Sequence, residues 1–146
     1  MAKTCNPPLL WLTRILFELV PSTRFFPLKR KLLSISGVDI HPSARVCSSV
    51  RIATSGHLAI GADTFIGHEV LISGGDSSIT IGSYCDIAPR VSILSGGHEI
   101  AASGPRAAGP GCSKTIVIED GVWIGAEWLI LGVGRVGQCE EVLVGR

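Results

Sequence analysis

Apolar residues recur along most of this chain with a spacing of six. The series runs Ile40, Val46, Ile52, then Ile60, Ile66, Ile72, then Ile81, Ile87, Ile93, then Ile118, Ile124, Ile130, and eleven of the twelve are isoleucine. Two residues before each stands a second side chain of limited size: Val38, Ala44, Val50, Leu58, Thr64, Val70, Ile79, Cys85, Val91, Ile116 and Val122. The twelfth slot holds Trp128. In a short strand, residues two apart share a face. Each unit therefore predicts a strand with two inward residues, followed by a turn two to three residues beyond the isoleucine. Three such units make one coil, and coils must stack on parallel neighbours to bury anything. Gly61, Gly67, Gly82 and Gly125, each just after its isoleucine, suit a tight approach at the corner. The pattern predicts a parallel β-helix with three short sheets, and leaves its hand open.

The spacing breaks at one recurring place. Ile52 to Ile60 is eight residues, Ile72 to Ile81 nine, and Ile93 to Ile118 twenty-five, so two, three and nineteen residues are added at the same corner. The two short insertions are Thr54–His57 and Ser73–Ser78, and the long one is the corner loop at 95–115. The long one has no periodicity of its own and reads as a flexible, functional arm. His98 stands at its root, just after the last regular strand. Trp123 precedes Ile124 and so points outward from an aliphatic barrel, towards a ligand, a subunit neighbour or the folded-back loop.

Residues 1–37 differ from residues 38–146. Leu9, Leu12, Leu16 and Leu19/Val20 fall at helical spacing and Pro21 ends the run. A second short helix mixes Arg24, Lys29, Arg30 and Lys31 with Phe25, Phe26, Leu28, Leu32 and Leu33. This N-terminal helical segment reads as a cap on the domain's end or as a membrane-surface pair through residues 9–33, and both can hold together.

Composition narrows the chemistry. The net charge is +1 over 146 residues, which argues against nucleic-acid binding by phosphate neutralisation. Five cysteines with no C-x-x-C pair predict free thiols in a reducing, cytoplasmic setting, with association at the inner membrane face the variant of that expectation. The apolar stretch near the N-terminus carries Arg14 and Glu18 and is too short to span a bilayer. His41 and His57 read as surface residues. A zinc site from His57, His68 and His98 would need three coils and faces to converge, so no metal is expected.

The hexapeptide units, "ITIGSYCDIAPRVSIL", "GGHEI" and "TIVIEDGVWIGA" resemble the hexapeptide-repeat acyltransferases over roughly residues 40–130. The nearest likeness is to the galactoside/maltose acetyltransferase and polysaccharide O-acetyltransferase branch. That resemblance implies a left-handed β-helix, a homotrimer with sites between neighbouring chains, and acetyl-CoA as donor. It implies His98 as general base taking the proton of a sugar hydroxyl, with Glu99 beside it to orient the ring. It places His68, Asp76 and Trp123 at the acceptor, and Ala88, Arg106, Lys114 and Ala126 at the coenzyme. N-acetylation of an amino sugar is the nearest alternative, and a non-catalytic scaffold the next. Where relatives carry further hexapeptides, order here is expected to fade after Gly125. Glu140 and Arg146 would fall on costly inward positions, as in a C-terminally shortened member.

Overall fold

The computed structural model describes residues 3–101, 103–132 and 134–137. Two helices lead in. Helix α1 (Pro7–Glu18) starts where the Asn6 side chain accepts a hydrogen bond from the Leu9 amide at 3.2 Å, with prolines at its first positions. Helix α2 (Phe26–Ile35) stops at Gly37, whose φ of +98° no larger residue adopts cheaply. The Gly37 amide donates to Ser34 O and the Val38 amide to Leu33 O, which closes the helix and launches the first strand.

The strands then follow in groups of three. β1 (Asp39–Ile40), β2 (Arg45–Val46) and β3 (Arg51–Ala53) form the first tier; β4 (Leu58–Ile60), β5 (Phe65–Ile66) and β6 (Leu71–Ser73) the second; β7 (Ile79–Ile81), β8 (Asp86–Ile87) and β9 (Ser92–Leu94) the third. After a hairpin of β10 (Gly96–Ile100) and β11 (Ala108–Ser113) come β12 (Ile116–Ile118), β13 (Trp123–Ile124) and β14 (Leu129–Leu131), then β15 (Gly134–Val136). One sheet has the order β1-β4-β7-β12-β15, a second β2-β5-β8-β13, and a third β3-β6-β9-β14. All three are parallel, and the register stacks Ile40 on Ile60, Ile60 on Ile81 and Ile81 on Ile118. The chain visits the sheets in rotation, a β-helix-like arrangement with the period read from the isoleucines.

The inward positions of the three sheets merge into one buried cluster, with Ile66, Ile72, Ile87 and Ile93 fully enclosed. Thr64 takes an inward slot without penalty because its hydroxyl donates to Gly82 O at 2.6 Å and accepts from the Cys85 amide at 3.1 Å. The corner glycines have a steric reason: a Cβ on Gly61 would come within 2.5 Å of the Gly82 backbone in the next tier. The corner residues Asp63, Tyr84, Glu69, Arg90 and Glu127 hold positive φ and accept the strain of the left-handed region.

The helices cover the first tier, α1 against β3 and α2 against β1 and β2, and so shield the exposed sheet edges there. The buried face of α1 is Leu10, Thr13 and Phe17, not the stripe of Leu9, Leu12, Leu16 and Leu19 that the spacing selects. Thr13 is chosen because its hydroxyl lies 2.8 Å from that of Ser36 at the end of α2. Lys29 is fully buried; its Nζ donates to Pro21 O at 3.1 Å and to Ser22 O at 2.5 Å, and its cation lies 5.0 Å from the centre of the Phe26 ring. Burial pushes its pKa below the ordinary lysine value.

Past Gly125 the described residues continue the pattern. Trp128 packs half-buried against the core, Ile130 is buried, and Val136 stays in register opposite Ile118. Glu140, Val142 and Arg146 lie outside the described residues.

Candidate functional site

The three insertions share one corner, between the third sheet and the next strand of the first, and they dock on one another. Gly75 O accepts from Thr54 Oγ1 at 3.0 Å and from the Gly56 amide at 2.9 Å. The Ser77 amide donates to Ser113 Oγ at 3.3 Å, and Ser77 Oγ donates to Lys114 O at 3.1 Å. The loop of one tier thus holds the base of the next insertion.

The long insertion is not an arm without structure. It folds as the antiparallel hairpin β10–β11, with Gly97 opposite Cys112, His98 opposite Gly111 and Ile100 opposite Ala108. An irregularity between His98 and Ile100 accommodates Pro110, which has no amide to pair. The five residues of β10 are exposed, so this hairpin rests on backbone pairing rather than on an apolar face.

His98 is positioned from both strands. Its Nδ1 lies 2.9 Å from Gly109 O. A carbonyl only accepts, so Nδ1 donates, and the neutral tautomer this selects has its lone pair on Nε2. His98 borders a recess of about 300 Å³ lined also by Ser73, Gly74, Leu94, Gly96 and Gly97. Its walls are narrow because Gly74 lies directly against Ser95: a Cβ on Gly74 would sit 1.8 Å from Ser95 Oγ. Ser95 is buried, and its hydroxyl is the one buried side-chain polar atom without a hydrogen-bond partner among the described residues. An imidazole fixed through Nδ1 beside a small glycine-walled recess can take a proton at Nε2 from a hydroxyl or an amine.

The expected site residues fall into two groups. Asp76, Glu99, Arg106 and Lys114 are exposed at the same corner as His98. Glu99 is next to His98 along β10, yet the partner of Nδ1 is the Gly109 carbonyl, so the orienting part expected of Glu99 is taken by a backbone group. His68, Ala88, Trp123 and Ala126 belong instead to the second sheet and the corner after it, so one chain does not gather both groups at a single corner. His68 Nδ1 lies 3.0 Å from Ser22 Oγ, which ties that corner to the helical segment. Trp123 is 73% exposed on the outer face of the second sheet, in register with Asp86, Phe65 and Arg45. His57 is held by Lys3 O at 2.7 Å and His41 by Ser43 Oγ at 2.9 Å. Among the described residues no three His, Cys, Asp or Glu side chains cluster in a way that could hold a metal ion. Gly109, Gly74 and Ser95 were not signalled by any side-chain motif; only the paired glycines before His98 hint at a crowded backbone.

Cys5, Cys47 and Cys85 are buried and Cys112 partly so, all as free thiols. Desolvation pushes the first three thiols above their ordinary pKa, so they are inert packing groups rather than nucleophiles.

No protein-family model matches the chain, and no curated protein does either. Among solved structures it is similar to AntD, an N-acyltransferase from Bacillus cereus, in the crystal structure of its complex with dTDP and 3-hydroxybutyryl-CoA. The TM-score is 0.53 at 14% identity, over 82% of this chain and 74% of that one, a likeness of fold.

Proposed function

We propose that this protein is a hexapeptide-repeat acyltransferase, a left-handed β-helix acting as a trimer. It moves an acetyl group from acetyl-CoA to a hydroxyl of a sugar or polysaccharide precursor. The observation that carries the reading is His98, with its tautomer set by Gly109 at the edge of the recess. Nε2 takes the acceptor's hydroxyl proton as the oxygen attacks the thioester carbonyl. A backbone N–H holds the oxyanion. The carbon–sulfur bond then breaks, and the imidazolium returns its proton to the departing thiolate. A recess of about 300 Å³ suits the acyl end of the donor rather than the whole coenzyme. The remainder of the donor would run along Ala88 and Ala126, with Arg106 and Lys114 towards its phosphates. His68, Asp76 and Trp123 would face the acceptor.

Because those residues lie at separate corners of one chain, the reading requires a neighbouring chain to complete each site. Ile100 and Trp123, both left largely exposed, support such a neighbour. A second reading is N-acylation of an amino sugar, favoured by the fold neighbour being an N-acyltransferase bound to a nucleotide and an acyl-CoA.

The test is thiol release from acetyl-CoA with hydroxyl and amino sugars, free and nucleotide-linked, repeated with 3-hydroxybutyryl-CoA. Turnover lost in a folded His98→Ala protein supports the base. Unchanged turnover removes it. Absence of acetyl-CoA binding by calorimetry in the trimeric protein leaves a non-catalytic scaffold as the reading.

A further inference from the structure

Helix α1 has a second apolar side, which faces outward and shares only Leu12 and Leu19 with the stripe the spacing selects. Trp11, Leu12, Ile15 and Leu19 are all exposed, Leu19 at 80% and Trp11 at 64%. At 3.6 residues per turn they fall within one sector of about 100°. Helix α2, which packs on α1 and buries Lys29 and Leu33, exposes Leu28, Lys31 and Ile35. Arg24 and Phe25 are exposed just before it, Phe25 with a φ of 53°. The outer side of α1 is therefore apolar, and that of α2, with Arg24 before it, is apolar and basic. Glu18, the one acidic residue of the segment, lies beside this sector and lines a separate groove with Arg14, Arg51, Glu69 and Arg90.

Charge is divided between the two parts of the chain. The first 37 residues hold six of the 13 basic residues and one of the 12 acidic ones, whereas the rest holds seven basic and eleven acidic. A second copy meeting this face with its own would bring like charges together. Among the described residues no helix is long and apolar enough to cross a membrane, and α1, at 12 residues, reaches about 18 Å. An anionic bilayer surface satisfies both features: the bulky apolar residues enter the headgroup boundary while Arg24 and Lys31 meet lipid phosphates.

We propose that the outer face of α1 and α2 docks this protein on an anionic phospholipid surface. The inference stands apart from the acyl-transfer reading and is measured without acyl donor.

The full chain is floated with vesicles of phosphatidylcholine alone and of phosphatidylcholine with phosphatidylglycerol. Binding to the anionic vesicles, weakened by salt, is expected. Trp11→Ser with Leu19→Ser lowers it by roughly tenfold or more, and Arg24→Glu with Lys31→Glu lowers it by roughly fivefold or more per site. All four side chains are exposed, so circular dichroism and the melting temperature should match the parent, and either pair alone tests the face. Three results each overturn the proposal: no binding, equal binding to both vesicle types, or binding that both pairs leave intact. So does a concentration-dependent oligomer in sedimentation without lipid that the same substitutions abolish, which makes the face a contact between copies.

Discussion

The imidazole of His98 and the carbonyl of Gly109 lie 2.9 Å apart across the hairpin, so the ring is oriented by backbone rather than by its acidic neighbour. Two substitutions separate these sources of order. His98→Ala is expected to lower kcat by about 10²- to 10⁴-fold, the usual worth of a general base. Glu99→Gln is expected to leave the rate near the parent's, because the carbonyl already sets the tautomer. Steady-state rates of acetyl transfer decide it. A Glu99→Gln defect as deep as that of His98→Ala would place the orienting role on the carboxylate instead.

The residues that could be read from the sequence are those whose period is imposed by the backbone. Ile66, Ile87 and Ile124 recur because a short strand sends every second side chain inward, and one tier's inward position lies over the last. Three features were less legible, each for its own reason. The hairpin escaped because Gly96, Gly97, Gly109 and Pro110 carry no alternation, and its pairing is made by main-chain groups. The buried side of α1 escaped because the helix has two apolar sides, and the choice of Leu10 and Phe17 depends on Thr13 meeting Ser36 across the chain. The partner of His98 escaped because a carbonyl has no letter in the sequence.

Thr64 tests the inward slot. It is isosteric with valine, and its hydroxyl is the acceptor for the Cys85 amide inside the core. Thr64→Val keeps the volume and removes that acceptor, leaving a buried N–H unpaired. The expected cost is about 1–3 kcal/mol, read as a lower urea midpoint with an unchanged slope. A neutral substitution would mean that water reaches the amide.

Ser95 predicts the opposite sign. Its hydroxyl is buried beside Gly74 with no partner among the described residues. Ser95→Ala removes a desolvated polar group at almost no change in volume. Stability is expected to stay level or rise by up to about 1 kcal/mol, measured by thermal unfolding. A clear loss would show that the hydroxyl is bonded in solution, with a water in the His98 recess the first group to look for.

The buried thiols predict a loss of stability at alkaline pH. Cys5, Cys47 and Cys85 are each held above the ordinary value of 9.0, with desolvation the largest cause. As pH rises past 9.0 the unfolded chain releases these protons while the folded chain keeps them. The unfolded state then binds fewer protons, and stability falls with a slope of up to about 1.4 kcal/mol per pH unit for each thiol. Below 9.0 the contribution is fully present. Lys29 works in the other direction: burial lowers its pKa from 10.5, so the cost of its buried charge eases as pH climbs towards that value. One lysine opposes three thiols, and a net loss above 9.0 is the expected outcome. Urea midpoints at about pH 8 and about pH 10 should therefore fall for the parent. The fall should flatten or reverse when Cys5, Cys47 and Cys85 are all replaced by alanine, whatever the smaller side chains cost at neutral pH. A parent whose midpoint holds level between those two values would show that the thiols ionise without leaving the folded state.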